Sequence, residues 1–399
     1  MKKYYIIAWA MLAACTGKKM EMEKGSFGYD LAFLKEHHKD MVVLGDDAGG
    51  AKVIVLPAYQ GRVMTSTAEG DSGSSFGWIN HDLIASGKFS EHFSAFGGEE
   101  RFWLGPEGGQ FSIYFKKGSA FTFDNWQVPK EIDTEPFRLV SSDSKTARFD
   151  KHMQLENYSG NPFNLKVDRT IRLLDDSTIN AMLHLLPEGV KTVAFESENV
   201  LTNEGKTAWD KTSGMLSIWV LSMLNASDAT TIFLPYKQGD SAQLGKIVTD
   251  DYFGKVPADR LLVGDGLIRF KADGHYRSKI GLSPRRALPM AASYDASKGV
   301  LTLAQFTLGG STDYVNSLWE MQQNPFSGDA VNAYNDGPID GKQMGNFYEI
   351  ESSSPAAALQ PGQSLTHVHR TFHIKGNTEQ INQLVMKLFG VGLDAITMK

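Results

Sequence analysis

Apolar and polar residues alternate with a period of two along much of this chain, the signature of strands with one buried face. Leu165, Val167, Ile171 and Leu173 alternate with Lys166, Asp168, Thr170 and Arg172. Val300 to Leu308 is a second apolar, threonine-rich run, entered through the turn Ser297-Lys298-Gly299. In Leu365 to Ile374, Val368, Phe372 and Ile374 share one face and His367, His369 and His373 the other. Turn formers separate such runs, as in Asn157-Tyr158-Ser159-Gly160-Asn161-Pro162, Asp175-Asp176-Ser177 and Asp273-Gly274. Short strands, frequent turns and 39 glycines predict an all-β fold of antiparallel sheets with a few short helices. The clearest helix is C-terminal: Asn377 and Gln380 suit a capping box, Ile381, Leu384, Val385 and Leu388 repeat at helical spacing, and Gly390 is the stop. No repeat or linker divides residues 29–399, which read as one domain.

The N-terminus breaks this texture. Lys2 and Lys3 precede an apolar run from Tyr4 to Ala14, too short to span a bilayer and of the length of a secretion signal. It ends in Leu12-Ala13-Ala14-Cys15, which resembles the lipobox of bacterial lipoproteins. That resemblance implies a signal peptide over 1–14 and a lipid on Cys15. The protein would then be exported and anchored to a membrane facing the periplasm or cell surface of a Gram-negative bacterium. Residues 15–28 are polar and read as a flexible tether. Cys15 is the only cysteine, which excludes disulfides, thiolate zinc sites and cysteine nucleophiles from the mature domain. A net charge of −6 without a basic patch argues against nucleic acid as a partner. No other apolar run is of membrane-spanning length, leaving the lipid as the one membrane contact.

Four segments, in order, resemble the galactose mutarotase-like (aldose 1-epimerase-like) superfamily. Val53-Ile54-Val55-Leu56-Pro57-Ala58-Tyr59-Gln60-Gly61-Arg62-Val63 is similar to its opening strands. Phe96-Gly97-Gly98-Glu99-Glu100-Arg101-Phe102-Trp103-Leu104-Gly105-Pro106-Glu107-Gly108-Gly109 is similar to the glycine-rich loop that carries a substrate-binding arginine. Ser317-Leu318-Trp319-Glu320-Met321-Gln322, with Asp329-Ala330, resembles the E-x-Q segment bearing the catalytic glutamate. Leu359-Gln360-Pro361-Gly362, running to Phe372, resembles the final turn and strand. The resemblance implies a large antiparallel β-supersandwich with a sugar cleft on one sheet, and no cofactor or metal. One departure stands out. The family's T-N-H segment is matched by Leu201-Thr202-Asn203-Glu204-Gly205, which has no histidine.

The candidate chemistry follows from these placements. Mutarotation needs a base for the anomeric hydroxyl and an acid for the ring oxygen, and a desolvated carboxylate suits the first. Glu320, between Trp319 and Met321, is the expected base. Trp103, Trp126, Trp209 and Trp319 offer faces for a pyranose, with core filling as their bland alternative. Arg101, Glu107, Asn203, Lys211, Gln322, Asp329, Asn335 and Asp336 complete the expected sugar contacts. Asp329 to Pro338 reads as a turn-rich loop lining the cleft, or as oxygen ligands for calcium without EF-hand spacing. His367 and His369, two apart on a strand, would chelate zinc given a third ligand; an exposed polar face is the simpler reading. These histidines, and His81, are the only groups that would replace the missing acid.

The sequence therefore predicts a lipid-anchored β-supersandwich with a carbohydrate cleft. Three functions fit: epimerase or mutarotase-like proton transfer, glycan binding without turnover, and glycan cleavage with Glu107 or Asp336 facing Glu320.

Overall fold

In the strand Pro162–Leu173, Phe163, Leu165, Val167 and Ile171 are buried while the alternate positions are partly exposed, as the pattern predicts. Arg169 falls on the same inward face and is fully buried. The computed structural model describes residues 22–45, 50–184 and 186–398, so the lipobox and Cys15 lie outside the described residues. Among the described residues no helix is long and apolar enough to cross a membrane. The fold is mostly β, a sandwich of antiparallel sheets. A ten-stranded sheet runs in spatial order Leu261–Val263, Leu267–Lys271, Thr230–Pro235, Met290–Asp295, Val300–Phe306, Ser364–Lys375, Lys191–Asn203, Pro162–Leu173, Thr146–Glu156, Arg138–Ser142. A smaller sheet runs Ser278–Leu282, Val331–Asn335, Phe347–Ser353, Ser217–Leu221, Arg101–Gly105, with Leu224–Asn225 beside Phe347–Ser353. Val42–Leu44, Lys52–Leu56 and Arg62–Thr67 form a third sheet.

The C-terminal helix Thr378–Phe389 has the predicted reciprocal capping box, Asn377 with Gln380, and ends on Gly390 in the left-handed region. Such a cap contributes about 1 kcal/mol. Ile381, Leu384 and Val385 pack on Phe372, Ile374, Leu301 and Leu303, covering one face of the large sheet.

The other face of that strand carries the histidines, and here the expected exposed face is corrected. His367, His369 and His373 are buried between the sheets. His367 Nε2 and His369 Nδ1 each lie 2.8 Å from the hydroxyl of Ser352, on the smaller sheet. His373 lies 2.6 Å from Glu99 and 2.9 Å from Thr302. Burial holds His367 at about 4, and burial with the neighbouring His367 and Arg169 holds His369 at about 3, so both rings are neutral at pH 7. Among the described residues no third metal ligand joins them. The same layer holds an ion pair, Arg169 to Glu100 at 2.8 Å, fully withdrawn from water. Ser352 belongs to the opposing sheet and Glu99 is far away in sequence, which is why a polar stripe that looked solvated is internal.

Three further readings change. Phe27 and Gly28, assigned to the tether, are buried in the first turn of the helix Phe27–His37. Asp175-Asp176-Ser177 is a helix start rather than a turn, with Asp175 capping Asp176–Met182. Asp329 to Pro338 is no loop: Val331–Asn335 is an inner strand of the smaller sheet, because Val331 and Ala333 supply a core face.

Candidate functional site

Cross-strand register sorts the smaller sheet into two faces. Ile280, Ala333, Ile350, Val220 and Phe102 point into the core. The opposite face carries the chemistry in aligned rows. Lys279 pairs with Tyr334, and Tyr334 with Glu349. Gly281 pairs with Asn332, Asn332 with Glu351, Glu351 with Leu221, and Leu221 with Arg101. Ser353, Trp219 and Trp103 form the next row. Gly281 matters for space: a Cβ there would stand 2.2 Å from Asp329 Oδ2 and 2.5 Å from Asn332 Nδ2. Its bare backbone lets both side chains settle onto the sheet.

These side chains are shielded from water, the polar ones beside the core members Trp103, Trp219 and Leu221. Arg101 donates to Glu349 at 2.6 Å. Lys279 Nζ and Trp219 Nε1 both donate to Glu351 Oε2, at 2.8 and 2.9 Å. Tyr252 Oη donates to Asp329 at 2.6 Å and accepts from Asn332 at 3.1 Å. Tyr334 Oη donates to Asp336 at 2.7 Å, and Arg277 Nε reaches Tyr334 Oη at 3.3 Å. The carboxyl of Glu107, just beyond the strand Arg101–Gly105, is pushed up to about 7. Burial is the main cause, opposed by Lys279 and reinforced by Glu351, while an N–H from Trp319 favours the anion. Burial also raises Glu349, against Arg101 and with Glu351, and raises Asp329, against its bond from Tyr252. Several buried polar atoms have no partner among the described residues: Arg101 Nε and Nη1, Trp103 Nε1, Ser217 Oγ and Glu351 Oε1. Unpaired groups of this kind cost stability, and their concentration on one face marks it for a ligand or for water.

Loops roof the face. Tyr114, Trp126 and Trp319 stack in sequence, with centroids 6.2 and 5.8 Å apart. Gln322 donates to the carbonyls of Asn316 and Leu318 and so holds the turn that brings Trp319 onto Glu107. The enclosed cavity, lined by Ser217, Trp219, Tyr252, Lys279, Asp329 and Asn332 among others, is about 30 Å³, room for roughly two waters. Two open depressions of about 510 and 370 Å³ flank the Lys211–Asp313 ion pair. They are larger, but Asp329, Lys279 and the unpartnered Ser217 Oγ line the small cavity, and the other perturbed carboxyls, Glu107 and Glu349, both feel the charge of its Lys279, so the site is placed there.

Of the residues expected from sequence, Arg101, Trp103, Glu107, Trp319, Asp329 and Asp336 meet at this face, and Gln322 braces it. The others do not. Glu320 is exposed on a bend, not withdrawn from water as the expected base would be. Asn203 lies in the ten-stranded sheet, donating to the carbonyls of Thr207 and Leu359 and accepting from Gly205, and it does not face the cavity. The absent histidine at that place therefore says nothing about this site. Trp209 packs in the core against Phe163, and Lys211 is exposed. Asn335 points to the core side and ties down the turn at Gly274 and Tyr276. His81 pairs with Asp30 at 2.7 Å. Sequence reading missed Trp219, Tyr252, Lys279, Glu349 and Glu351, and reached Asn332 only as part of a cleft-lining loop. The one available signal was Phe347–Ser353, where Glu349 and Glu351 alternate with Tyr348 and Ile350.

The chain belongs to a family of unknown function (DUF6786), whose model matches residues 25–399. No curated protein matches the sequence. Among solved structures it is similar to the Slr1438 protein of Synechocystis sp. PCC 6803, at a TM-score of 0.50 and 13% identity, over 84% of this chain and 96% of that one. It is also similar to a galactose mutarotase-like protein from Lactobacillus casei (TM-score 0.47, 10% identity, 84% and 99% covered). A galactose mutarotase related enzyme from Lactobacillus acidophilus is another (0.46, 9%, 84% and 97%). The likeness to the Slr1438 protein is one of fold alone.

Proposed function

We propose that the roofed face of the smaller sheet binds a sugar and that Glu107 transfers protons at its anomeric centre, as in an aldose 1-epimerase. The observation that carries this reading is Glu107 itself: a shielded carboxyl at about 7, beside Lys279 and Glu351, over a floor of unpartnered donors and flat indoles. A carboxyl near neutrality is present in both forms at pH 7, so it can take a proton from the anomeric hydroxyl and later return it. Lys279 Nζ, held by Glu351 at 2.8 Å and close enough to act on Glu107, is the proposed donor to the ring oxygen. Trp103, Trp219 and Trp319 supply apolar faces for the pyranose, and Arg101 retains free N–H groups for its hydroxyls.

Exchange spectroscopy between α and β anomers, over a panel of aldoses at pH 7, tests this. We expect saturable acceleration, a loss of about 100-fold or more in Glu107→Gln, and no change in Glu320→Gln. Binding without acceleration would support a glycan-binding module instead. Full activity in Glu107→Gln, or no sugar bound at all, would end the proposal. Export and lipid attachment at Cys15 complete the picture, placing this site at a membrane surface.

A further inference from the structure

The cavity cannot take a sugar as it stands. It measures about 30 Å³, whereas pockets for small molecules begin at about 300 Å³. Something must leave, and the geometry identifies what. Tyr252 is carried on a loop whose base is pinned by two backbone hydrogen bonds between Thr249 and Gly281. The loop closes on itself through Val256 N–H to the Asp250 carbonyl and the Lys255–Asp250 ion pair. At its tip Asp251, Phe253, Gly254 and Lys255 are exposed. The tip holds to the body through Phe253, whose ring lies 3.7 Å from the Arg277 guanidinium, and through Tyr252, which reaches into the cavity.

We propose that the Tyr252 hydroxyl occupies the place of a ligand hydroxyl. Asp329 and Asn332 are then a recognition subsite for a hydroxyl of a pyranose or related polyol, and residues 250–255, between the pinned Thr249 and the buried Val256, are a flap that the ligand displaces. The match is chemical. The phenol donates to a carboxylate at 2.6 Å and accepts from an amide at 3.1 Å, and a sugar hydroxyl makes that same pair of bonds. Gly281 leaves the two partners room against the sheet. Asn332 shares a cross-strand row with Glu351 and Arg101, both of which keep polar atoms unpartnered among the described residues. A pyranose seated with one hydroxyl on Asp329 and Asn332 would lie along that row. Phe253 sits at the mouth, against Tyr334 at 6.0 Å and Arg277, where an opened flap releases it without disturbing the sheet.

This inference rests on the face being a sugar site, and the test separates the two. Titrations with glucose, galactose and glycerol, followed by saturation-transfer NMR, are run on wild type, Tyr252→Phe and Asp329→Asn. Hydrogen exchange of the 250–255 amides is measured with and without sugar. Tyr252→Phe keeps the ring and loses the competing hydroxyl, so it should bind sugar about fivefold more tightly. Asp329→Asn should bind more weakly than wild type, and sugar should speed exchange in 250–255. If wild type binds sugar while Tyr252→Phe binds no better and the flap amides are unchanged, the inference falls and the sugar site stands. If neither wild type nor Tyr252→Phe binds any sugar, both fall.

Discussion

Replacing Glu107 by glutamine preserves the side chain's shape and an acceptor for Trp319 while removing its titration. In the folded protein the carboxyl sits at about 7, against 4.5 for an unhindered glutamate. A folded value above the unfolded one means that stability is intact below about pH 4.5 and is lost as the pH rises through 7. The gap corresponds to about 3 kcal/mol once the pH is well above 7, and to about 1 kcal/mol at pH 5. Glu107→Gln should therefore be more stable than wild type at pH 8 by about 3 kcal/mol, and by about 1 kcal/mol at pH 5. Urea denaturation at the two pH values reads this directly. With a slope of about 3 kcal/mol per molar, the midpoint should rise by about 1 M at pH 8. A gain in stability with loss of anomer exchange would mark Glu107 as a group kept for chemistry at the expense of folding. A variant equally stable or less stable at pH 8, or a difference that does not grow with pH, would refute the reasoning. It would mean that Lys279 compensates the buried anion fully.

Two other outcomes are expected. His369 is held at about 3 in the fold against 6.5 when free, so stability is full above pH 6.5 and declines as the pH falls toward 3, by about 2 kcal/mol at pH 5. His369→Gln should show a drop between pH 7.5 and 5 smaller than wild type's by about that amount in urea titrations; an equal drop would place acid sensitivity elsewhere. Expressed from its full-length gene in a Gram-negative host, the protein should incorporate labelled palmitate and fractionate with membranes, and Cys15→Ser should do neither; identical behaviour of the two would overturn the anchoring proposal.

The strands were legible where one face is apolar, as in Pro162–Leu173, and so was the C-terminal helix, whose cap and stop are local in sequence. The helix Phe27–His37 was not, since Phe27, Gly28, Asp30 and Leu34 are buried together and leave no clean apolar stripe. The site was legible in part. Arg101, Trp103 and Glu107 follow one another near one strand, so a single motif captured all three. Glu320 misled because its apolar neighbours look like a desolvating pocket, yet Met321 is itself exposed and Trp319 turns toward Glu107. Lys279, Glu349 and Glu351 looked like the wet side of ordinary strands. Only the roof over them, built from segments far away in sequence, makes them a site. The histidine stripe failed for the same reason, since Ser352 and Glu99 become its partners only after the sheets pack.

The division between a hydrogen-bonded floor and a looped roof has a consequence for how this molecule could be redesigned. Glu349 and Glu351 alternate with Tyr348 and Ile350, which brace the interior, so altering that strand disturbs folding and recognition together. Val256 is core and Trp319 packs against the core, but the exposed tip residues Asp251, Phe253, Gly254 and Lys255 have no such double duty. Grafting different lengths or side chains there would change which molecules enter while the strand pairing beneath stays in place.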